Sequence, residues 1–195
     1  MHIGKAASFR RLGAPVPEGT TAATLARLSE ALRRTGAQHL IVLGDLSHSA
    51  TAHRAPATDA AFGAWRTAYA GVELTLVAGN HDQRAGTPPA AWGVQVVAEP
   101  HELAGLALVH HPQAVAGRYA MAGHVHPAVI VSGRGPGSLR LPCFHLGAEC
   151  GVLPAFGEFT GSHVVHPAPG DRVVVIAEGE LREWPARPER RSDTH

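Results

Sequence analysis

Three apolar runs in this sequence stop abruptly and deliver polar side chains of metal-binding type. Leu40-Ile41-Val42-Leu43 ends on Gly44-Asp45, Leu74-Thr75-Leu76-Val77-Ala78 ends on Gly79-Asn80-His81-Asp82, and Leu106-Ala107-Leu108-Val109 ends on His110-His111. A fourth stretch, Gly123-His124-Val125-His126, follows closely, and strict alternation would set its two imidazoles on one face of an extended segment. Asp, Asn and His are ligands for hard or borderline divalent cations. Two such ions held by a shared carboxylate could clamp a phosphodiester and lower the pKa of a water enough to make it a nucleophile near neutral pH. A lone His at a strand end is more often a satisfied hydrogen-bonding residue, so the chemistry rests on the joint pattern.

The elements that must position these groups can be read from periodicity. Short β-branched and Leu-rich runs bounded by turn residues are buried strands, and in open α/β sheets ligands sit outside the carboxyl ends of such strands. Residues 20–35 predict a helix, with Leu25, Leu28 and Leu32 on one face, Thr20 or Thr21 as N-cap and Gly36 just past the end. A strand over 38–43 follows. Residues 57–70 predict a second helix, whose Phe62, Trp65 and Tyr69 form an aromatic stripe of the kind that packs onto a sheet. Strands over 72–77 and 94–97 flank the Gly86-Thr87-Pro88-Pro89 loop, where two prolines block regular structure. From Leu106 on no helical period survives: extended runs at 106–109, 119–122, 128–131, 139–146 and 173–177 are separated by Gly and Pro. This is the β-rich half of an α/β sandwich of two sheets with helices outside. Residues 1–183 form one domain, and the polar, Pro-bearing tail 184–195 is expected to be disordered.

Composition bounds the setting more than the chemistry. With 17 Lys+Arg against 16 Asp+Glu the formal charge is +1, so no global basic field argues for nucleic acid, although a local patch stays open. Cys143 and Cys150 have no Cys-x-x-Cys spacing and read as free thiols in a reducing compartment. No signal-peptide core and no membrane-length apolar run is present, and a cytoplasmic protein is the simplest reading. Histidine occurs 14 times, and His2, His48, His81, His110, His124 and His126 fall in or beside the motif loops, which favours metal over chance.

In this order, the Gly-Asp, Gly-Asn-His-Asp, His and Gly-His-x-His blocks resemble the calcineurin-like metallophosphoesterase superfamily, over roughly half of the chain. The resemblance implies a four-layer α/β/β/α sandwich and two divalent ions. Asp45 would bridge them, Asn80, His110 and His124 would complete one ion, and His2 and His126 would serve the other. His111 competes with His110, and Asp45 read alone could be a cap or turn residue. His81 would be no ligand but a proton donor to the leaving oxygen, with Asp82 holding its orientation; Asp82 could equally be a turn residue. The superfamily's first motif is Asp-x-His, and here Met1 takes the middle position and His2 the last. The expectation is therefore a fold lacking its first strand, with a strand ending in Asp encoded before Met1 and His2 on a frayed end.

A closer likeness lies in His2-Ile3-Gly4-Lys5-Ala6 with Phe9-Arg10, in residues 15–21, in Ser138-Leu139-Arg140-Leu141-Pro142-Cys143-Phe144 and in residues 152–157. Together these resemble the bacterial ligase-associated DNA-damage-response endonuclease family, of the PdeM type. That resemblance implies a Mn²⁺-type phosphodiesterase or endonuclease, with Fe, Zn or Mg as alternatives, acting in DNA repair beside a DNA ligase, an exonuclease and a helicase. Nothing in spacing or charge shows DNA as the substrate. Lys5, Arg10 and Arg84 could contact phosphate or be solvated surface charge. Two other readings stand beside the enzyme: a degenerate scaffold that has lost a ligand, and a hydrolase of small phosphoesters.

Overall fold

The computed structural model describes residues 1–11, 13–16, 19–48, 55–132 and 137–184. The N-terminal half alternates helices and strands: α1 (Lys5–Arg11), α2 (Thr20–Thr35), β1 (His39–Leu43), α3 (Pro56–Ala68), β2 (Glu73–Val77), α4 (Asn80–Ala85) and, after a 3₁₀ turn at Ala90–Trp92, β3 (Val94–Val97). These strands make a parallel sheet in the order β1-β2-β3. α2 stops where Gly36 turns left-handed at φ 65° and donates its N–H to the Leu32 carbonyl. Pro56 opens α3 at a position where its missing N–H costs nothing.

The buried stripe of α2, Leu25, Leu28 and Leu32, meets Phe62 and Trp65 of α3 over Val42, Leu74 and Leu76 of the sheet, with Trp92 closing the cluster. The aromatic stripe is core, as its spacing predicts. Arg66 ties the layer together by donating to the carbonyls of Trp92, Tyr69 and Val72.

The second half is a mixed sheet of β4 (His101–Leu103), β5 (Leu106–Val109), β6 (Tyr119–Ala122), β7 (Pro127–Ser132), β8 (Ser138–Leu146), β9 (Cys150–Val152), β10 (His163–Val164), β11 (Arg172–Ala177) and β12 (Glu180–Trp184). Its order is β10-β7-β8-β9-β6-β5-β4, with β11 and then β12 branching from the far end of β8. β8 is nine residues long, and this length lets it serve β7 with one half and β11 with the other. The α/β sandwich expected from the sequence is thus the fold. Cys143 is buried in the β7-β8-β11 cluster and both cysteines are free thiols. Among the described residues no helix is long and apolar enough to cross a membrane.

Six short elements escaped the periodicity: α1, α4, β4, β9, β10 and β12 span only two to seven residues each, too few to show a repeat. Trp184, assigned by its composition to the tail, instead closes β12 opposite Val173. The remaining tail, residues 185–195, lies outside the described residues. Among the described residues β1 has a strand partner on one side, β2; its other edge borders a cavity of about 740 Å³ walled by Leu28 and Ala31 of α2 and by Phe144, Ile176 and Leu181 of the larger sheet.

Phe62 is 1% exposed and its ring lies 4.1 Å from that of Trp92. Phe62→Ala should cost about 3–5 kcal/mol through lost transfer energy and the cavity left behind. Urea unfolding checks this as a lowered midpoint at unchanged slope.

Candidate metal centre

The site is assembled where four chain reversals meet at the carboxyl ends of β1, β2, β5 and β6. Leaving β1, Gly44 adopts φ 79°, and a Cβ there would lie 1.9 Å from His110 Nδ1. Only glycine fits. Gly79, at the end of β2, approaches as closely: its Cβ would be 2.8 Å from both Asp45 Oδ1 and the His110 ring. The motif glycines thus make room for the His110 imidazole, which is fully buried.

Asp82 fixes the loop that carries Asp45. One of its oxygens accepts the N–H of Asp45 at 2.5 Å and of Gly79 at 3.0 Å, and the other accepts those of Leu46 at 3.0 Å and Ser47 at 3.4 Å. The amino-terminal residues then add to this loop. His2 N–H donates to the Asp45 carbonyl at 2.6 Å and Ile3 N–H to that of Leu46 at 2.8 Å, forming a parallel bridge between Ile3 and Ser47. His2 is therefore not frayed but 8% exposed, beside Asp45.

Two groups of donor atoms result. In the first, His110 Nδ1 lies 3.0 Å from the Leu43 carbonyl, which can only accept, so Nδ1 carries the hydrogen and Nε2 presents a lone pair. That Nε2 lies 2.9 Å from Asn80 Oδ1, 3.0 Å from His124 Nδ1 and 3.6 Å from Asp45 Oδ1. His110 Nε2 and the Asn80 and Asp45 oxygens are acceptors brought together, a grouping that a cation between them would satisfy. In the second group, His2 Nε2 is 3.6 Å from the other Asp45 oxygen, Oδ2, and the His2 ring packs edge-on against His81 and His126, each at 5.2 Å between centroids. Ligand atoms of His2, Asp45 and His81 lie within 4.8 Å of one another, as do those of His110, His111 and His124. His2 Nδ1 is buried without a hydrogen-bond partner among the described residues. Imidazole nitrogens with carboxylate and amide oxygens are a donor set for borderline divalent cations, and the residues present fit such ions.

Backbone conformation marks the same positions. Six described non-glycine residues have positive φ, and four of them are His2, Asp45, His124 and His126, between 53° and 61°. Left-handed backbone at residues with a Cβ costs of order 1 kcal/mol each and gathers at functional sites.

No family model matches the chain, and neither does any curated protein. Among solved structures it is similar to the crystal structure of the Pseudomonas putida nuclease MPE, at 41% identity and a TM-score of 0.81, over 94% of this chain and 84% of that one. The chain belongs to that nuclease's family. Identity at this level over nearly the whole chain carries more than a shared fold.

Within this family member burial favours the neutral form of four histidines, His2, His48, His124 and His126. Desolvation pushes His2 down to about 2 and His126 to about 4, with the nearby amino-terminal ammonium adding to both. His48 and His124 are lowered too, again mainly by burial. Neutral imidazoles at pH 7 are the form that ligates metal. Asp82 moves the other way: burial raises its pKa, and the backbone N–H groups it accepts oppose that shift.

Three expectations are revised. Asp82 does not orient His81; its carboxylate is occupied by backbone N–H groups, and His81 Nδ1 instead lies 3.1 Å from the His48 carbonyl. His124 and His126 are not on one face of an extended segment, since both are left-handed and serve different groups. Asn80 and His81 open a helix rather than a loop. Between the paired histidines the structure supports His110 as the inner one. His111 is half exposed, and its ring meets Glu99 Oε1 at 2.9 Å. Glu99, which no motif flagged, also accepts the backbone N–H of His110 and His111, and it stands after β3 where only folding brings it near them. His48 was visible as a histidine in a motif loop, but its stacking on His81 at 5.4 Å was not.

Two outcomes follow from this geometry. Gly44→Ala should displace the His110 ring and lower stability by about 1–3 kcal/mol through strain and steric conflict, seen as a reduced Tm with fewer bound divalent ions per chain. The pH dependence has a definite sign. His126 binds a proton at 6.5 when unfolded and only at about 4 when folded, so the unfolded state takes up more protons over that interval. Stability of the metal-free protein should therefore fall as pH drops below 6.5 towards 4, with His2 extending the loss lower, and His126→Asn should flatten the Tm-versus-pH curve.

Proposed function

We propose that this protein is a metal-dependent phosphodiesterase of the calcineurin-like metallophosphoesterase superfamily, a PdeM-type endonuclease with a dinuclear centre. The observation that carries this is the placement of one carboxylate. Asp45 turns Oδ1 towards His110 and Oδ2 towards His2, so that a single side chain faces two separate donor groups. Asp45, Asn80, His110 and His124 would hold one ion, and Asp45, His2 and His126 the other. Bound divalent cations at such a site supply Lewis acidity to the phosphoryl oxygens and lower the pKa of water. The mixed nitrogen and oxygen donors suit Mn²⁺, with Fe, Zn or Mg as alternatives.

The remaining chemistry belongs to the chain. His81 Nδ1 donates to the His48 carbonyl, which leaves Nε2 free; in the doubly protonated imidazolium form Nε2 would carry the proton that the leaving oxygen needs. His48 is thus a positioning residue for His81. Asp82 acts through the Asp45 loop, holding the carboxylate between the two donor groups. The similarity to the nuclease MPE supports a nucleic-acid phosphodiester as substrate. The resemblance of residues 138–144 and 152–157 to the ligase-associated family supports work in cytoplasmic DNA repair beside a DNA ligase, an exonuclease and a helicase.

Purified protein supplied with Mn²⁺ should hydrolyse a chromogenic phosphodiester and lose that activity on chelation. Asp45→Ala should lose both bound metal and turnover. His81→Ala should lower turnover by about 10²-fold or more, the range of a general acid, with metal content nearly unchanged. A second reading makes His81 a ligand, because one of its nitrogens lies within 4.8 Å of donor atoms on His2 and Asp45. In that case His81→Ala sheds an ion. Asp45→Ala that keeps two ions and full turnover would overturn the dinuclear proposal.

A further inference from the structure

The wall of the site opposite His110 is aromatic and leads outward. His48 stacks on His81, with ring centroids 5.4 Å apart and planes at 26°. Phe9 of α1 lies 5.8 Å beyond His48, and Phe159, from the loop before β10, packs edge-on to Phe9 at 5.8 Å. Phe159 is 36% exposed, the one aromatic ring among the exposed large apolar side chains of the described residues. The Lys5 ammonium sits over both phenyl rings, 5.9 Å from Phe9 and 5.8 Å from Phe159, and has no carboxylate partner among the described residues. Its charge is close enough to depress proton binding at His2, His48 and His126, which puts it on the rim of the metal centre.

These features are hard to explain as packing alone. A phenyl ring left partly in water, next to a half-buried cation with no counter-charge, lacks the two things a core would supply, namely cover and neutralisation. A nucleotide supplies both. A base offers a flat face to an aromatic ring whatever its identity, and its phosphate offers the anion.

We propose that Phe9, Phe159 and Lys5 form a nucleotide subsite: the base adjoining the scissile phosphate stacks on Phe159, with Phe9 backing it, and the neighbouring phosphate meets Lys5. The subsite rests on the phosphodiesterase reading and adds to it the recognition of a base. It contributes no proton or ligand, so it acts on substrate affinity rather than on the reacting atoms.

The test compares an oligothymidylate with a chromogenic phosphodiester that carries no base. Phe159→Ala should raise KM for the oligonucleotide about tenfold, within the range that base–aromatic stacking supplies, while kcat changes little. The ratio of kcat/KM for oligonucleotide over base-free diester should fall by the same factor, and Phe159→Trp should restore it. An abasic nucleotide beside the cleavage position should remove the difference between wild type and Phe159→Ala. Lys5→Ala should weaken binding of labelled oligothymidylate to the metal-free protein and reduce the salt slope of log K by about one, with Lys5→Arg retaining it. If wild type cleaves both substrates and Phe159→Ala keeps the same ratio, the subsite is wrong and the phosphodiesterase reading stands. If wild type with Mn²⁺ cleaves neither, both fall together.

Discussion

A buried carboxylate that accepts four backbone N–H groups holds this site together. Asp82 is 7% exposed, and its two oxygens are shared among Gly79, Asp45, Leu46 and Ser47. An ionised carboxylate removed from water is costly unless its lone pairs are satisfied, and here every partner is main chain from the two loops that must meet. The same bonds therefore neutralise the cost of burial and join the end of β1 to the start of α4. Without them Asp45 would sit on a free loop, and its two oxygens would have no reason to face opposite ways.

Around that anchor the structure spends conformational energy where the donor atoms are. His2, Asp45, His124 and His126 are held in left-handed backbone, and Gly44 and Gly79 give up a side chain so that His110 can enter. Each arrangement is unfavourable locally and persists because strands on two different sheets over-determine it. β1 and β2 fix the donor groups of Asp45 and Asn80, while β5 and β6 fix His110 and His124. Contact between the sheets at their carboxyl ends, where His110 donates to the Leu43 carbonyl, makes one centre from four chain segments.

The small sheet is built more tightly on its outer face than along its open edge. On the helix side, Phe62, Trp65, Trp92 and three leucines of α2 form a continuous cluster that gives β1 and β2 a rigid base. Along the edge of β1 away from β2, where no strand pairs among the described residues, lies an apolar cavity. Rigid support thus reaches Asp45 from the helices and from β2, and from Ile3, whose bridge to Ser47 is the one pairing on that side among the described residues.

Much of the fold was written in periodicity. The leucines of α2 and the aromatic stripe of α3 repeat at helical spacing, and the long apolar runs before Gly44, Gly79 and His110 read directly as strands, because burial on one face demands a repeating pattern. The identities of the candidate ligands were legible for a similar reason: few residue types can hold a divalent cation, and they stand together at strand ends. What a pattern along the chain could not carry was direction. Whether Asp82 served His81 or the Asp45 loop depended on which N–H groups folding brought within hydrogen-bonding distance, and three of those come from residues 35 to 37 positions away. The separation of His124 from His126, the support of His110 and His111 by Glu99, and the aromatic path from His81 to Phe159 were decided in the same way. Each depends on segments remote in sequence, and hydrogen bonds and ring contacts between such segments leave no repeat for a sequence to show.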